Sequence, residues 1–177
     1  MPIRHQAEHD ALTDILNRGS FDKMLNIYEG GDRPFALILA DVDTFKSIND
    51  TYGHAMGDKI LKKIASLLTL GFRSIDHICR IGGDEFAVIM LEMTSDLQYT
   101  IQEKIDEINR QLLNPEDGLP PVSLSVGVAF TDREGASDSL FKNADRALYR
   151  TKENGRNGCS FYGLSDAPKP PKEQDND

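Results

Sequence analysis

FALILADV, running from Phe35 to Val42, decides the fold. Every residue but one is apolar and the faces do not alternate, the pattern of a strand covered on both sides. The exception, Asp41, falls where the strand ends, so a rigid element delivers a carboxylate to the edge of the core. A strand buried on both faces needs helices above and below it, and the sequence supplies them. From Gly57 onward, Ile60, Leu61, Ile64, Leu67 and Leu68 recur at helical spacing. Leu97, Ile101, Ile105, Ile108 and Leu112 mark a second amphipathic helix. Leu140, Phe141, Ala144, Ala147 and Leu148 mark a third, which Asn154-Gly155 should close as a C-cap. His77 to Arg80 and Phe86 to Leu91 flank Gly82-Gly83 and predict a hairpin. Val122 to Phe130 alternates strictly and predicts a half-buried strand, and Ser160 to Tyr162 a short final one. The order β-α-α-β-β-α-β-α-β implies an α/β (α+β) domain, a central mixed sheet with helices packed on it.

The 177 residues suit one domain with small appendages. Hydrophobic residues make up 39% and charged residues 28%, as in ordinary globular proteins. Cys79 and Cys159 form no CxxC pair, so neither a zinc finger nor a redox motif is indicated. A net charge of −9 argues against a nucleic-acid polymer as partner. It leaves room for a nucleotide held by local cations and metal. The N-terminus lacks an apolar h-region, and no run has the length of a membrane span, so a cytoplasmic location without direct membrane contact is expected. Residues 1–9 read as the end of a polar linker helix that begins upstream, residues 10–163 as the domain, and residues 164–177, rich in Pro, Lys and acids, as a disordered tail.

Three groups of residues have the chemistry of a site. In Asp41-Val42-Asp43-Thr44-Phe45-Lys46, a carboxylate at a strand end suits a hard cation, and Lys46 is placed to reach a phosphate. The plainer reading is a helix N-cap at Asp43 or Thr44. An EF-hand is excluded, because Lys46 stands where its glycine belongs and Tyr52 where its glutamate belongs. In Arg80-Ile81-Gly82-Gly83-Asp84-Glu85-Phe86, two glycines at a hairpin tip permit positive φ and close approach of a ligand. The acids after them can join Asp41 around a metal and supply a base; the plainer reading is a type I′ turn with solvated acids. Lys152 and Arg156, at a helix C-terminus, either clamp phosphate oxygens or simply complement the helix dipole. No P-loop or dinucleotide fingerprint is present, and no Ser-His-Asp or Cys-His arrangement is legible.

Taken together these segments resemble the GGDEF family of diguanylate cyclases. Gly82-Gly83-Asp84-Glu85-Phe86 spells the signature. DALTDILNR (Asp10 to Arg18), DVDTFKSINDTYGHAMGD (Asp41 to Asp58), SVGVA (Ser125 to Ala129) and ADRALYRTKENGRN (Ala144 to Asn157) are similar to the family's other landmarks, in the same order. The resemblance implies a palm-like fold with a mostly antiparallel five-stranded sheet, as in nucleotidyl cyclases. It implies condensation of two GTP into cyclic di-GMP and pyrophosphate across a homodimer. It also implies residue roles. Asp41, Asp84 and the Val42 carbonyl would hold Mg²⁺ or Mn²⁺; Asp84 or Glu85 would take the 3′-OH proton. Phe45, Lys46, Lys152 and Arg156 would contact phosphates. Asn49 and Asp58 would read guanine, with His54 nearby. Arg73-Ser74-Ile75-Asp76 is similar to the family's RxxD inhibitory site for cyclic di-GMP, with Lys104 in the region of a second cation; the plainer reading is a surface turn with an ion pair. A sensor domain is expected upstream. Two rivals remain: a non-catalytic cyclic di-GMP receptor that uses only Arg73 and Asp76, and another purine cyclase or polymerase on the same palm.

Overall fold

The computed structural model describes residues 3–132 and 139–164. Its elements are α1 (Ile3–Glu8), α2 (Arg18–Glu29), β1 (Phe35–Val42), α3 (Phe45–Tyr52), α4 (His54–Gly71), β2 (His77–Arg80), β3 (Glu85–Leu91), α5 (Gln98–Leu113), β4 (Leu124–Phe130), α6 (Leu140–Glu153) and β5 (Gly158–Phe161). The five strands form one sheet in the order β2-β3-β1-β4-β5. All pairs are antiparallel except β4 with β5, so the sheet is mixed and mostly antiparallel, as expected.

β1 lies at the centre with Phe35 to Leu39 almost fully buried. Its alternation feeds two cores. Ala36, Ile38, Ala40 and Val42 meet Ile60, Ile64 and Leu68 of α4 and Ile101, Ile105 and Leu112 of α5. Phe35, Leu37 and Leu39 meet Phe21 and Leu25 of α2 and Ala144 and Leu148 of α6. Each of the larger side chains removed from water contributes roughly 1.5–3 kcal/mol before chain entropy is set against it.

Two expectations need correction. β4 is buried along its whole length, not half-buried. Its small residues make room for a helix instead of facing water: a Cβ on Gly127 would lie 2.1 Å from the Leu148 nitrogen and 2.3 Å from the Ala144 oxygen. Glycine therefore lets the backbone of α6 rest on the sheet. The helix α2 goes beyond the predicted order. Its signals are ordinary ones: Asn17 caps it by accepting from the Ser20 N–H at 3.0 Å, Phe21 and Leu25 share its buried face, and Gly30 follows.

Residues 3–8, within the stretch read as a linker helix, are helical. Of residues 164–177, read as a tail, only Leu164 is described; its N–H donates to the Phe161 oxygen at 3.3 Å, and 165–177 lie outside the described residues. Among the described residues no helix is long and apolar enough to cross a membrane.

Candidate active site

At the C-terminal end of β1 the strand period turns Asp41 and Asp43 to one face and Val42 to the other. Register does the rest. Asp41 stands opposite Glu85 across the β1–β3 ladder. The Val42 N–H donates to the Asp84 carbonyl at 3.1 Å, so the Val42 carbonyl looks along the same edge toward the hairpin turn. From α6, Lys152 reaches across and donates to Asp41 Oδ2. Four groups singled out in the sequence, Asp41, Asp84, Glu85 and Lys152, thus share one mouth. Beside it is a cleft of about 280 Å³ lined by Arg18, Asp41, Glu85, Phe141 and Asp145.

Crowding of like charge shows in the acids. Burial, the largest cause, pushes the Asp41 carboxyl above its ordinary range; Lys152 opposes this, while Asp84 and Asp145 add to it. Glu85 is raised by burial and then by Asp41 and Asp84, with Lys152 and Arg18 pulling the other way. Among the described residues no three His, Cys, Asp or Glu side chains stand close enough to cage a metal by themselves. Two carboxylates and a carbonyl nevertheless suit Mg²⁺, which commonly takes one or two carboxylates and completes its shell with substrate phosphates and water. The chemistry of the donor set therefore fits a divalent metal.

The turn that carries Asp84 is not built as expected. Neither Gly82 nor Gly83 adopts positive φ, so it is not a type I′ turn. Gly82 leaves room for the Glu85 side chain, which a Cβ there, 2.7 Å from its Oε2, would push aside. Gly83 offers its carbonyl to Arg80, which donates from Nε at 3.1 Å and Nη2 at 2.8 Å. Nη1 of the same guanidinium donates to Asp10 Oδ1 at 3.2 Å and Oδ2 at 3.1 Å. Asp10 in turn accepts from the Thr13 N–H at 2.9 Å and hydroxyl at 2.7 Å. Burial acts to raise the Asp10 carboxyl, but the bonds from Thr13 and then Arg80 outweigh it and bring it below its ordinary 3.8. Arg80 thus ties the N-terminal segment to the hairpin. Sequence reasoning missed this pairing, since the partners are far apart in the chain.

Asp43 does not cap α3. Thr44 holds the cap position at φ 54° without a side-chain bond. Asp43 is buried and accepts from Ser123 Oγ at 2.7 Å, Ser125 Oγ at 2.6 Å and the Asn157 N–H at 3.0 Å. Arg156 Nη1 stands 3.9 Å from its Oδ1.

The residues assigned to guanine lie on α3 and α4. Asn49 Oδ1 is buried with no hydrogen-bond partner, an acceptor left over by the chain itself. Gly57, on the first turn of α4, makes its room: a Cβ there would fall 2.0 Å from that oxygen and 3.1 Å from the Phe45 ring. Lys46, His54 and Asp58 are exposed. Arg73 and Asp76 hold one another: Arg73 donates from Nε at 3.2 Å, Nη2 at 2.9 Å and its backbone N–H at 2.8 Å, and Nη2 also reaches the Leu91 carbonyl. The Asp76 side chain is fully buried, so this is an anchored ion pair rather than a solvated turn. Lys104 makes its contacts at the end of α4, with the Gly71 carbonyl and the Phe72 ring.

A mostly antiparallel sheet with acids at the end of its central strand, met by a lysine from a covering helix, defines an α+β domain of the nucleotidyl-cyclase type. A family model, "Diguanylate cyclase, GGDEF domain", matches residues 7–158, and the chain belongs to that family. It is 37% identical over 166 residues to diguanylate cyclase DgcM of Escherichia coli (strain K12), covering 88% of this chain and 38% of that protein. It is 33% identical over 157 residues to the probable diguanylate cyclase DgcT of the same organism, covering 85% of this chain and 35% of that protein. The chain therefore spans little more than a third of these relatives. Among solved structures, the coiled coil and GGDEF domain of DgcB from Caulobacter crescentus, in complex with c-di-GMP, superposes with a TM-score of 0.77 at 28% identity, covering 90% of this chain and 87% of that one.

Proposed function

We propose that this chain is the catalytic domain of a diguanylate cyclase, joining two GTP into cyclic di-GMP and releasing two pyrophosphates. The observation that carries the reading is the meeting of Asp41, Asp84 and Glu85 with Lys152 beneath an intact GGDEF turn. Each protomer of a homodimer holds one GTP. Asn49 Oδ1 accepts from the N–H edge of guanine, which gives its buried oxygen a partner, and Asp58 and His54 complete that side. Phe45 and Lys46 at the start of α3, with Lys152 and Arg156, hold the triphosphate. Asp41, Asp84 and the Val42 carbonyl would hold Mg²⁺ or Mn²⁺, which when bound would supply positive charge that acidifies the attacking hydroxyl and stabilises the phosphate. Glu85 or Asp84 takes the proton as the 3′-oxygen bonds to the α-phosphorus of the facing GTP and the bond to pyrophosphate breaks; a second, symmetric round closes the ring. Facing the two substrates across a dimer replaces an encounter of free molecules with an oriented pair.

Feedback by cyclic di-GMP at Arg73 and Asp76 belongs to the same reading, and requires the guanidinium to exchange the Asp76 and Leu91 oxygens for the ligand. An upstream sensor domain and a cytosolic setting complete it. Incubation with GTP and Mg²⁺ at high protein concentration should yield cyclic di-GMP and pyrophosphate. Binding of cyclic di-GMP without synthesis would replace the cyclase with a receptor, and preference for ATP would overturn the roles of Asn49 and Asp58.

A further inference from the structure

We propose that Asp43 is a positioning residue that fixes Arg156 for the triphosphate, an inference that rests on the cyclase reading. Asp41 and Asp43 share one face of the extended chain and treat the far end of α6 alike. Asp41 receives Lys152 from the last turn of the helix, and Asp43 receives the turn just beyond it. Three parts of the chain converge on the Asp43 carboxylate: Ser123 and Ser125, leading into and within β4, and the Arg156-Asn157 turn before β5. Its side chain is only 6% exposed, whereas that of Arg156 is 49% exposed, so a buried anchor holds a cation that faces solvent.

The backbone around the anchor is held out of its preferred region. Thr44 has φ 54°, Arg156 67° and Asn157 44°, all left-handed and all non-glycine. Non-glycine residues of this kind persist only where the surroundings over-determine them. Here the surroundings are identifiable. Asp43 is next to Thr44, its Oδ2 accepts from the Asn157 N–H, and its Oδ1 faces the Arg156 guanidinium. The two serines aim the carboxylate, and the carboxylate sets the turn. Without it, the Arg156 N–H still donates to the Thr151 carbonyl at 3.0 Å, but no negative charge faces the guanidinium to set its direction. An asparagine at 43 keeps the shape and one oxygen that can accept from the Asn157 N–H, but its amide N–H₂ gives the Arg156 guanidinium no negative charge to face.

The test is a double-mutant cycle read by affinity for 3′-deoxy-GTP with Mg²⁺, a ligand that lacks the attacking hydroxyl and cannot condense. Wild type is first assayed with GTP; absence of cyclic di-GMP overturns the parent reading and this inference with it. Given synthesis, Asp43→Asn should weaken 3′-deoxy-GTP binding about tenfold, the scale of one misplaced charge-assisted contact. In an Arg156→Ala background the same change should cost less than about twofold, because the two residues act as one unit. An equal loss in both backgrounds, or no loss in either, overturns the inference while the cyclase stands; so does an Arg156→Ala variant that binds like wild type. Should Asp43→Asn fail to fold, Ser125→Ala serves in its place, with roughly a threefold loss that disappears in the Arg156→Ala background.

Discussion

The two ends of β1 differ more than its middle does. At the Phe35 end the sheet closes plainly: the Thr131 N–H donates to the Phe35 carbonyl at 3.1 Å, and the Phe35 N–H to the Thr131 hydroxyl at 3.0 Å. Charges there pair in the open, as Arg33 does with Glu92 at 2.5 Å with side chains 71% and 44% exposed. A cavity of about 560 Å³ also lies here, between Tyr28, Phe35, Phe130 and Leu140. At the Asp41 end the space is half as large, but acids crowd together and two carboxyls are pushed upward. Concentrated, partly desolvated charge marks this end as reactive; volume does not.

The comparison breaks if the ends respond alike to substitution. The largest contrast is expected from Asp84→Ala, which should reduce cyclic di-GMP formation by at least about a thousandfold by removing a proposed metal ligand and candidate base. Its melting temperature should stay within a few degrees of wild type, and full activity would remove Asp84 from the mechanism. Next comes Arg80→Ala, which abandons both Asp10 and the Gly83 carbonyl. A loss of about 2 kcal/mol is expected in urea unfolding, since this pair is largely but not wholly buried. Activity should fall as well, with Arg80→Lys recovering only part because it lacks the fork.

The Asp10 link can be sharpened by pH. Its folded carboxyl lies below 3.8. The unfolded chain takes up the proton first, so the contribution is full at neutral pH and drains as pH falls below about 4. The stability gap between wild type and Asp10→Asn should therefore narrow between about pH 7 and pH 3; a constant gap would mean that charge is not what Asp10 contributes. The smallest effect belongs to the other end: Arg33→Ala should change stability by no more than about 0.5 kcal/mol and leave turnover untouched. A large loss there would erase the distinction between the ends.

Much of this was legible in advance because burial and chemistry leave different marks. The unbroken apolar run of Phe35–Val42 gives the central strand with its bounds, and the spacing of Ile101, Ile105, Ile108 and Leu112 gives α5. Where small residues alternate with large ones, as in β4, the sequence does not say whether water or a helix covers the small face; Gly127 under α6 resolves it. The acids and Lys152 were readable as candidates, and their meeting required the β1–β3 register. Arg80 with Asp10, and Asp43 with the turn after α6, were not readable, because each joins segments many tens of residues apart.

Gly57 has a consequence for base selection. The Asn49 amide occupies space that any side chain at 57 would claim, since even a methyl carbon would come within 2.0 Å of its oxygen. On the proposed reading, a side chain at 57 would displace the Asn49 amide and disturb base selection without altering one carboxylate, lysine or arginine of the site. Gly57→Ala in this chain should therefore move the Asn49 amide and weaken GTP binding while leaving Asp41, Asp84, Glu85 and Lys152 in place, which binding of 3′-deoxy-GTP would show.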